Sequence, residues 1–270
     1  MQASQGQARS GPGAVRDVVP DSALSQPDAP AAGGRILAVD LARSLALLGM
    51  VIFHFVRNLE MFGHIPVGTT LGGGWPGFAR LVAGSFVFLA GVSLVLAHGD
   101  GLRWRAFLKR LAQIGAAAAL VTLVTWIAMP DAFIFYGILH SIAVSSVVGL
   151  AFLRLHPAVT LATAVVVFVL PQVFRSSLFD PPWLVWTGLA ERTPRTLDFE
   201  PLFPWLAPFL LGIALARMAK DAGLWDRLRG PEPGGLARWA AWPGRHSLAV
   251  YLAHQPILLG LLWVAWKLGV

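Results

Sequence analysis

Cysteine is absent from this chain and histidine occurs seven times, so a proton transfer or nucleophilic step near neutral pH falls first to imidazole. His54 has Asn58 one helical turn beyond it, on the same face. His64 follows ten positions later, in Phe62-Gly63-His64. His140 closes Tyr136-Gly137-Ile138-Leu139-His140 and is followed by Ser141, Ser145 and Ser146. His54, His64 and His140, with Asn58 as an orienting group, are the candidate catalytic residues. The bland alternatives are a solvated interfacial imidazole for His54 and His64, and an interhelical hydrogen bond for His140. His98 and His156 stand at the ends of apolar runs and read as interfacial.

A second set reads as substrate-binding. Asp40 and Arg43 lie three residues apart at the start of an apolar run, where they can pair with each other, anchor neighbouring helices or meet an anionic ligand. His246 and His254, eight residues apart, share a helix face, and Arg245-His246-Ser247 opens that helix, where anions are favoured. Ser247 is equally suited to a plain N-cap. Pro256 beside His254 can kink the helix and open a pocket. Asp198 and Glu200 precede Pro201 and Pro204; they serve either as partners of a helix dipole or as carboxylates assisting a histidine. No cluster has close metal-ligand spacing, so no metal is expected. Gly72-Gly73-Gly74 lacks the strand and the Lys of a phosphate loop.

The elements that must carry these residues are membrane helices. The 270 residues are 56% hydrophobic and 13% charged, with a mean hydropathy of +0.65, against about 25% charged in a soluble domain. Apolar runs near the length needed to cross about 30 Å of hydrocarbon recur along the chain. Seven spans are predicted: 36–56, 78–98, 107–129, 133–153, 157–174, 202–219 and 247–266. Lipid admits only helices and closed barrels, and the runs are too long and too continuously apolar for barrel strands. The expected fold is therefore all-α, a polytopic transmembrane bundle of about seven helices. Residues 1–34, rich in Ala, Gly, Ser, Gln and Pro, read as a disordered cytoplasmic tail, and 35–270 as the membrane domain.

Charge sets the orientation. The net charge of +7 reads as topology control rather than nucleic-acid binding, because Lys and Arg cluster in the short segments between spans. With alternating spans, fifteen of the 21 basic residues fall on the side of the N-terminus. That side is then cytoplasmic and the C-terminus outside. Two long outer loops follow, 57–77 and 175–201, the second carrying Asp180, Glu191, Asp198 and Glu200. Long loops without secondary structure of their own often hold function. No internal repeat is evident, which weighs against a secondary transporter.

Several segments resemble one family when taken in order. They are Asp40-Leu41-Ala42-Arg43-Ser44-Leu45-Ala46, Met50 through His54, Ser85-Phe86-Val87-Phe88-Leu89-Ala90-Gly91, and Tyr136 through His140. Phe203-Pro204-Trp205, Gly244 through Leu252 and His254-Gln255-Pro256 complete the set. Together they resemble the bacterial members of the heparan-alpha-glucosaminide N-acetyltransferase catalytic-domain family, among the membrane acyltransferases. The resemblance implies transfer of an acetyl group from cytosolic acetyl-CoA, or another acyl-CoA, to an amino sugar or other envelope glycan across the bilayer, with no metal. With the orientation read from charge, it points to a bacterial inner-membrane protein with a cytoplasmic N-terminus and a periplasmic C-terminus. His64 matches the family's catalytic His in the first far-side loop, and His54 stands where the animal enzyme has Asn. Asn58 replaces the Asp that many bacterial relatives carry four residues after a His. Arg80 falls near an acid of the animal loop. A transporter or exporter subunit using the histidines as a proton relay is the alternative; a non-enzymatic scaffold is a third reading.

Overall fold

The structure, a computed structural model, describes residues 36–229 and 234–268. The expected tail, 1–34, lies outside the described residues. Among the described residues nine α-helices follow in order: α1 Leu37–Met61, α2 Trp75–His98, α3 Trp104–Ala128, α4 Ile138–Gly149, α5 Pro157–Val173, α6 Leu202–Asp221, α7 Leu224–Leu228, α8 Gly235–Arg245 and α9 Ser247–Lys267. Among the described residues there is no strand, so the chain is all-α. Five of these helices (α1, α2, α3, α6 and α9) are long and apolar enough to cross a membrane. The fourth and fifth predicted spans fold as shorter apolar helices, 138–152 and 157–173.

The centre of the bundle is the α2–α6 pair. A Cβ on Gly91 would collide with the carbonyl of Phe209, and one on Gly212 with the carbonyl of Phe88. Each glycine therefore lets the other helix's backbone come into contact. In lipid this matters, since apolar side chains gain nothing by leaving an equally apolar solvent and close backbone packing must supply the cohesion. Phe209, Leu210 and Ile213 of α6 and Val87 of α2 are fully buried there. α5 packs on α6, α4 on α2, α3 and α6, and α1 on α2, α8 and α9. α3 leans on α4 and touches α9.

Two departures from the sequence reading shape the site. α4 begins at Ile138, five residues after the predicted span start at Phe133. Residues 132–136 instead run beside 196–200: Leu197 N donates to Ala132 O at 2.8 Å, Thr196 Oγ1 to Phe133 O at 2.7 Å and Glu200 N to Tyr136 O at 3.3 Å. Such irregular backbone is tolerated in a membrane protein where it is held by protein groups. The second departure is α8, which no predicted span covers. Its Leu236, Trp239 and Trp242 are exposed, while Ala241 and Gly244 are buried. A helix this short, apolar on one face only, falls below the signal of a crossing segment. Gly244 lies so close to α1 that a Cβ would collide with the Asp40 carbonyl.

Candidate functional site

The rim at the N-terminal end of α1 is built around one carboxylate. Asp40 is buried, with Arg43 Nη1 at 2.8 Å from Oδ1 and Arg245 Nε at 3.4 Å from Oδ2. Arg43 also donates to Ser93 Oγ of α2 at 2.6 Å, and Ser44 Oγ accepts from Gly244 N at 2.9 Å. One acid thus ties α1, α2 and the α8–α9 joint together. The His246 ring, at that joint, lies 5.0 Å from the Trp242 ring. From this rim a cavity of about 970 Å³ runs inward, bordered by Arg43, Arg110 and His246 at one end and by Ile138 and Tyr251.

Deeper in the bundle, α1 and α9 bring two histidines together. The His54 and His254 rings are 5.0 Å apart, and Tyr251 lies 5.6 Å from His254. His254 Nδ1 contacts the carbonyl of Tyr251. A carbonyl can only accept, so Nδ1 carries a proton, and in the neutral ring Nε2 presents its lone pair. That Nε2 is buried and has no protein partner. One turn further out, Gln255 Nε2 donates to Asn58 Oδ1 at 3.0 Å, leaving Asn58 Nδ2 and Gln255 Oε1 buried without protein partners. Asn58 is 1% exposed, so it belongs to the interhelical seam.

The third element is the start of α4. The Asp198 carboxylate accepts from the backbone amides of Ile138 and Phe199, an acid placed on a helix N-terminus. Gly137 makes room for it: a Cβ there would sit 2.7 Å from Asp198 Oδ2. Burial pushes Asp198 above the ordinary carboxylate range, against the pull of those amides. Burial, and next the Asp198 charge, push Glu200 up as well, opposed by a hydrogen bond from Trp205 and by Arg80. His140 Nδ1 accepts from Gly137 N at 3.2 Å, and its Nε2 lies 3.4 Å from Thr122 Oγ1. Thr122 spends its own proton on Ile134 O, at 2.7 Å. His140 is therefore a neutral imidazole with both nitrogens engaged, stacked on Tyr136 at 5.6 Å.

The structure brings His54 to His254 rather than to His140, because α1 packs on α9 and α4 packs elsewhere. His64 is exposed in the loop after α1. That loop is pinned by Glu60, whose carboxylate accepts from Gly68 N, Thr70 N, Thr70 Oγ1 and Arg57. Sequence reasoning gave no role to Gln255, Tyr251 or Glu60. Gln255 was the most accessible of these, since it stands beside His254 and an amide inside an apolar run needs a partner. Among the described residues, no group of three His, Cys, Asp or Glu is arranged to hold a metal ion.

No curated protein and no solved structure matches the chain. One family does, described as heparan-alpha-glucosaminide N-acetyltransferase, catalytic, and the match runs over residues 35–256. It spans the Asp40 rim, the His54–His254 pair, His140 and Asp198, ending just past Gln255. With most of its length matched, the chain belongs to the heparan-alpha-glucosaminide N-acetyltransferase catalytic family of membrane acyltransferases.

Proposed function

We propose that this protein moves an acetyl or other acyl group from cytosolic acyl-CoA to an amino sugar or envelope glycan on the far side of a bacterial inner membrane. The reading treats 35–270 as one acyltransferase domain. It takes α4 with its 3-10 extension and α5 as the two spans that complete seven. The N-terminus is then cytoplasmic and the C-terminus periplasmic, in keeping with fifteen of 21 basic residues on the α1 N-terminal side. The Asp40 rim faces the cytoplasm, and its Arg43, Arg245 and His246 receive the anionic CoA, with Asp40 holding the two arginines in place.

The observation that carries the mechanism is the lone pair of His254 Nε2, fixed by the Tyr251 carbonyl and set against His54. The acceptor nitrogen or oxygen attacks the thioester carbonyl and His54 or His254 takes its proton. The C–S bond then breaks, and the thiolate leaves as CoA after taking up a proton. Direct attack by an imidazole, giving an acyl-His that the acceptor then resolves, uses the same pair. His140, with both nitrogens engaged, holds the start of α4 and the Asp198 loop in place. His64, in the pinned outer loop, meets the acceptor together with Asp198.

Radiolabelled acetyl-CoA supplied to one face of proteoliposomes, with glucosamine on the other, tests the reading. Labelled N-acetylglucosamine is expected, and it is lost when His54 and His254 are both replaced by Ala. Neither transfer nor CoA release by the wild-type protein would overturn it. Coupled flux of an unmodified substrate would favour a transporter with a histidine relay.

A further inference from the structure

A second cavity, of about 1250 Å³, opens on the other flank of the bundle, between α2, α5, α6 and the 175–201 loop. It plays no part in the donor path. Its long wall is apolar, formed by Leu161, Val165 and Phe168 of α5 with Leu211 of α6. From Leu161 to Gln172 that wall extends ~17 Å along the helix axis, more than half of the roughly 30 Å hydrocarbon layer. Val165 and Phe168 are more than half exposed, so the groove is open sideways, toward lipid. At its outer end stand Arg80, Arg175 and Arg192.

The charge at that mouth is lopsided. Arg175 spends only Nε, on the Pro171 carbonyl at 3.1 Å. Arg192 has Asp180 at 3.9 Å, with its side chain still 91% exposed. Glu200 faces Arg80, and burial with the neighbouring Asp198 works against the charged carboxylate there, while the Arg80 side chain stays exposed. Planar guanidinium groups with several free N–H donors suit phosphate or carboxylate oxygens. Glu200 borders this groove, while Asp198, two residues back, lies on the start of α4, whose Ile138 borders the donor cavity. The Asp198–Glu200 strap thus stands between the two cavities.

We propose that the acceptor is carried by a membrane amphiphile with an acidic head. Its apolar chain lies along α5 and its phosphate or carboxylate rests among Arg80, Arg175 and Arg192, so that it is loaded laterally from the bilayer, and free glucosamine serves only as a truncated acceptor. This rests on the acyltransferase reading and adds the class of acceptor to it.

The test is binding by the full chain in a neutral maltoside detergent, followed by native mass spectrometry. Dioleoyl phosphatidate is the probe, with dioleoyl phosphatidylcholine and inorganic phosphate as comparators. One phosphatidate is expected to be retained, about tenfold or more tightly than phosphatidylcholine, as for a charge-assisted head contact. Millimolar inorganic phosphate should not displace it. The Arg80→Gln/Arg175→Gln variant should lose that preference, and Arg80→Lys/Arg175→Lys should recover part of it. Equal retention of phosphatidylcholine, displacement by inorganic phosphate, or an unchanged preference in the Gln variant overturns the proposal. Wild-type CoA release from acetyl-CoA, measured separately, reports on the acyltransferase reading alone.

Discussion

Asp40 and His54 sit on the same helix, ~21 Å apart along its axis, and each is the centre of a polar cluster with a different character. Around Asp40 the charges close on one another: Arg43 and Arg245 flank the carboxylate, and Arg43 reaches on to Ser93. Around His54 imidazole and amide groups predominate, and three buried atoms (His254 Nε2, Asn58 Nδ2 and Gln255 Oε1) have no hydrogen-bond partner among the described residues. A buried polar group without a partner costs on the order of 1–3 kcal/mol. A bundle under selection for stability alone would remove such groups; the rim has two of its own, Asp40 Oδ2 and Arg245 Nε, but there opposite charges face each other at 3.4 Å. The rim therefore binds helices and offers its arginines as a by-product, and the deeper cluster trades stability for open valences.

The largest expected effect tests the deeper cluster. His254→Ala lowers kcat for acyl transfer by about 10²–10⁴-fold, with the thermal midpoint in detergent held near that of the wild type. Full turnover in that variant, or a collapse of its midpoint, would erase the contrast. Next comes the rim. Asp40→Ala leaves two arginines facing each other and is expected to cost about 3–5 kcal/mol of stability. In the molecules that remain folded it raises KM for acyl-CoA more than it lowers kcat. A kcat loss equal to that of His254→Ala would make the two clusters one machine.

A smaller effect concerns the acids between the cavities. Folded Glu200 holds its proton to higher pH than an unfolded glutamate does, so the folded state binds more protons. Stability is then fully present in acid and falls as pH rises from the usual Glu range through the raised native value, by up to about 1.4 kcal/mol per pH unit. Glu200→Gln should flatten that slope in a thermal series between pH 5 and 9. Smallest is the Asn58–Gln255 bond, for which a double-mutant cycle should return a coupling of about 0.6 kcal/mol. A coupling several times larger would move Asn58 from the deeper cluster's style of packing to the rim's.

Much of this layout was legible from residue types. Long apolar runs carry their own helix length, so α1, α2, α3, α6 and α9 lie close to the predicted spans. Pro157 and Pro204 mark where regular helix begins in α5 and α6: His156 caps the first, and Phe203 is still extended before the second. α4 was misplaced because its start is fixed by Asp198, sixty residues away in the chain, and no local pattern carries that bond. The same holds for the site. That His54 and His254 stand inside the first and last apolar runs can be read from the sequence; that they face each other, with His140 turned to Thr122, depends on which helices adjoin. Helix neighbours in lipid are chosen by small residues such as Gly91 and Gly212, whose significance appears only in pairs.

That glycine seam also settles what can move. With two backbones in contact, α2 and α6 cannot slide or separate without losing the whole of their fit, and α5 travels with them. α3 has no comparable clasp, yet its Phe107, Arg110 and Ile114 form one side of the cavity that opens at the Asp40 rim. In mechanical terms α2 and α6 form the spine of the bundle, and α3, held through α4 and a slight touch on α9, is a wall laid against it.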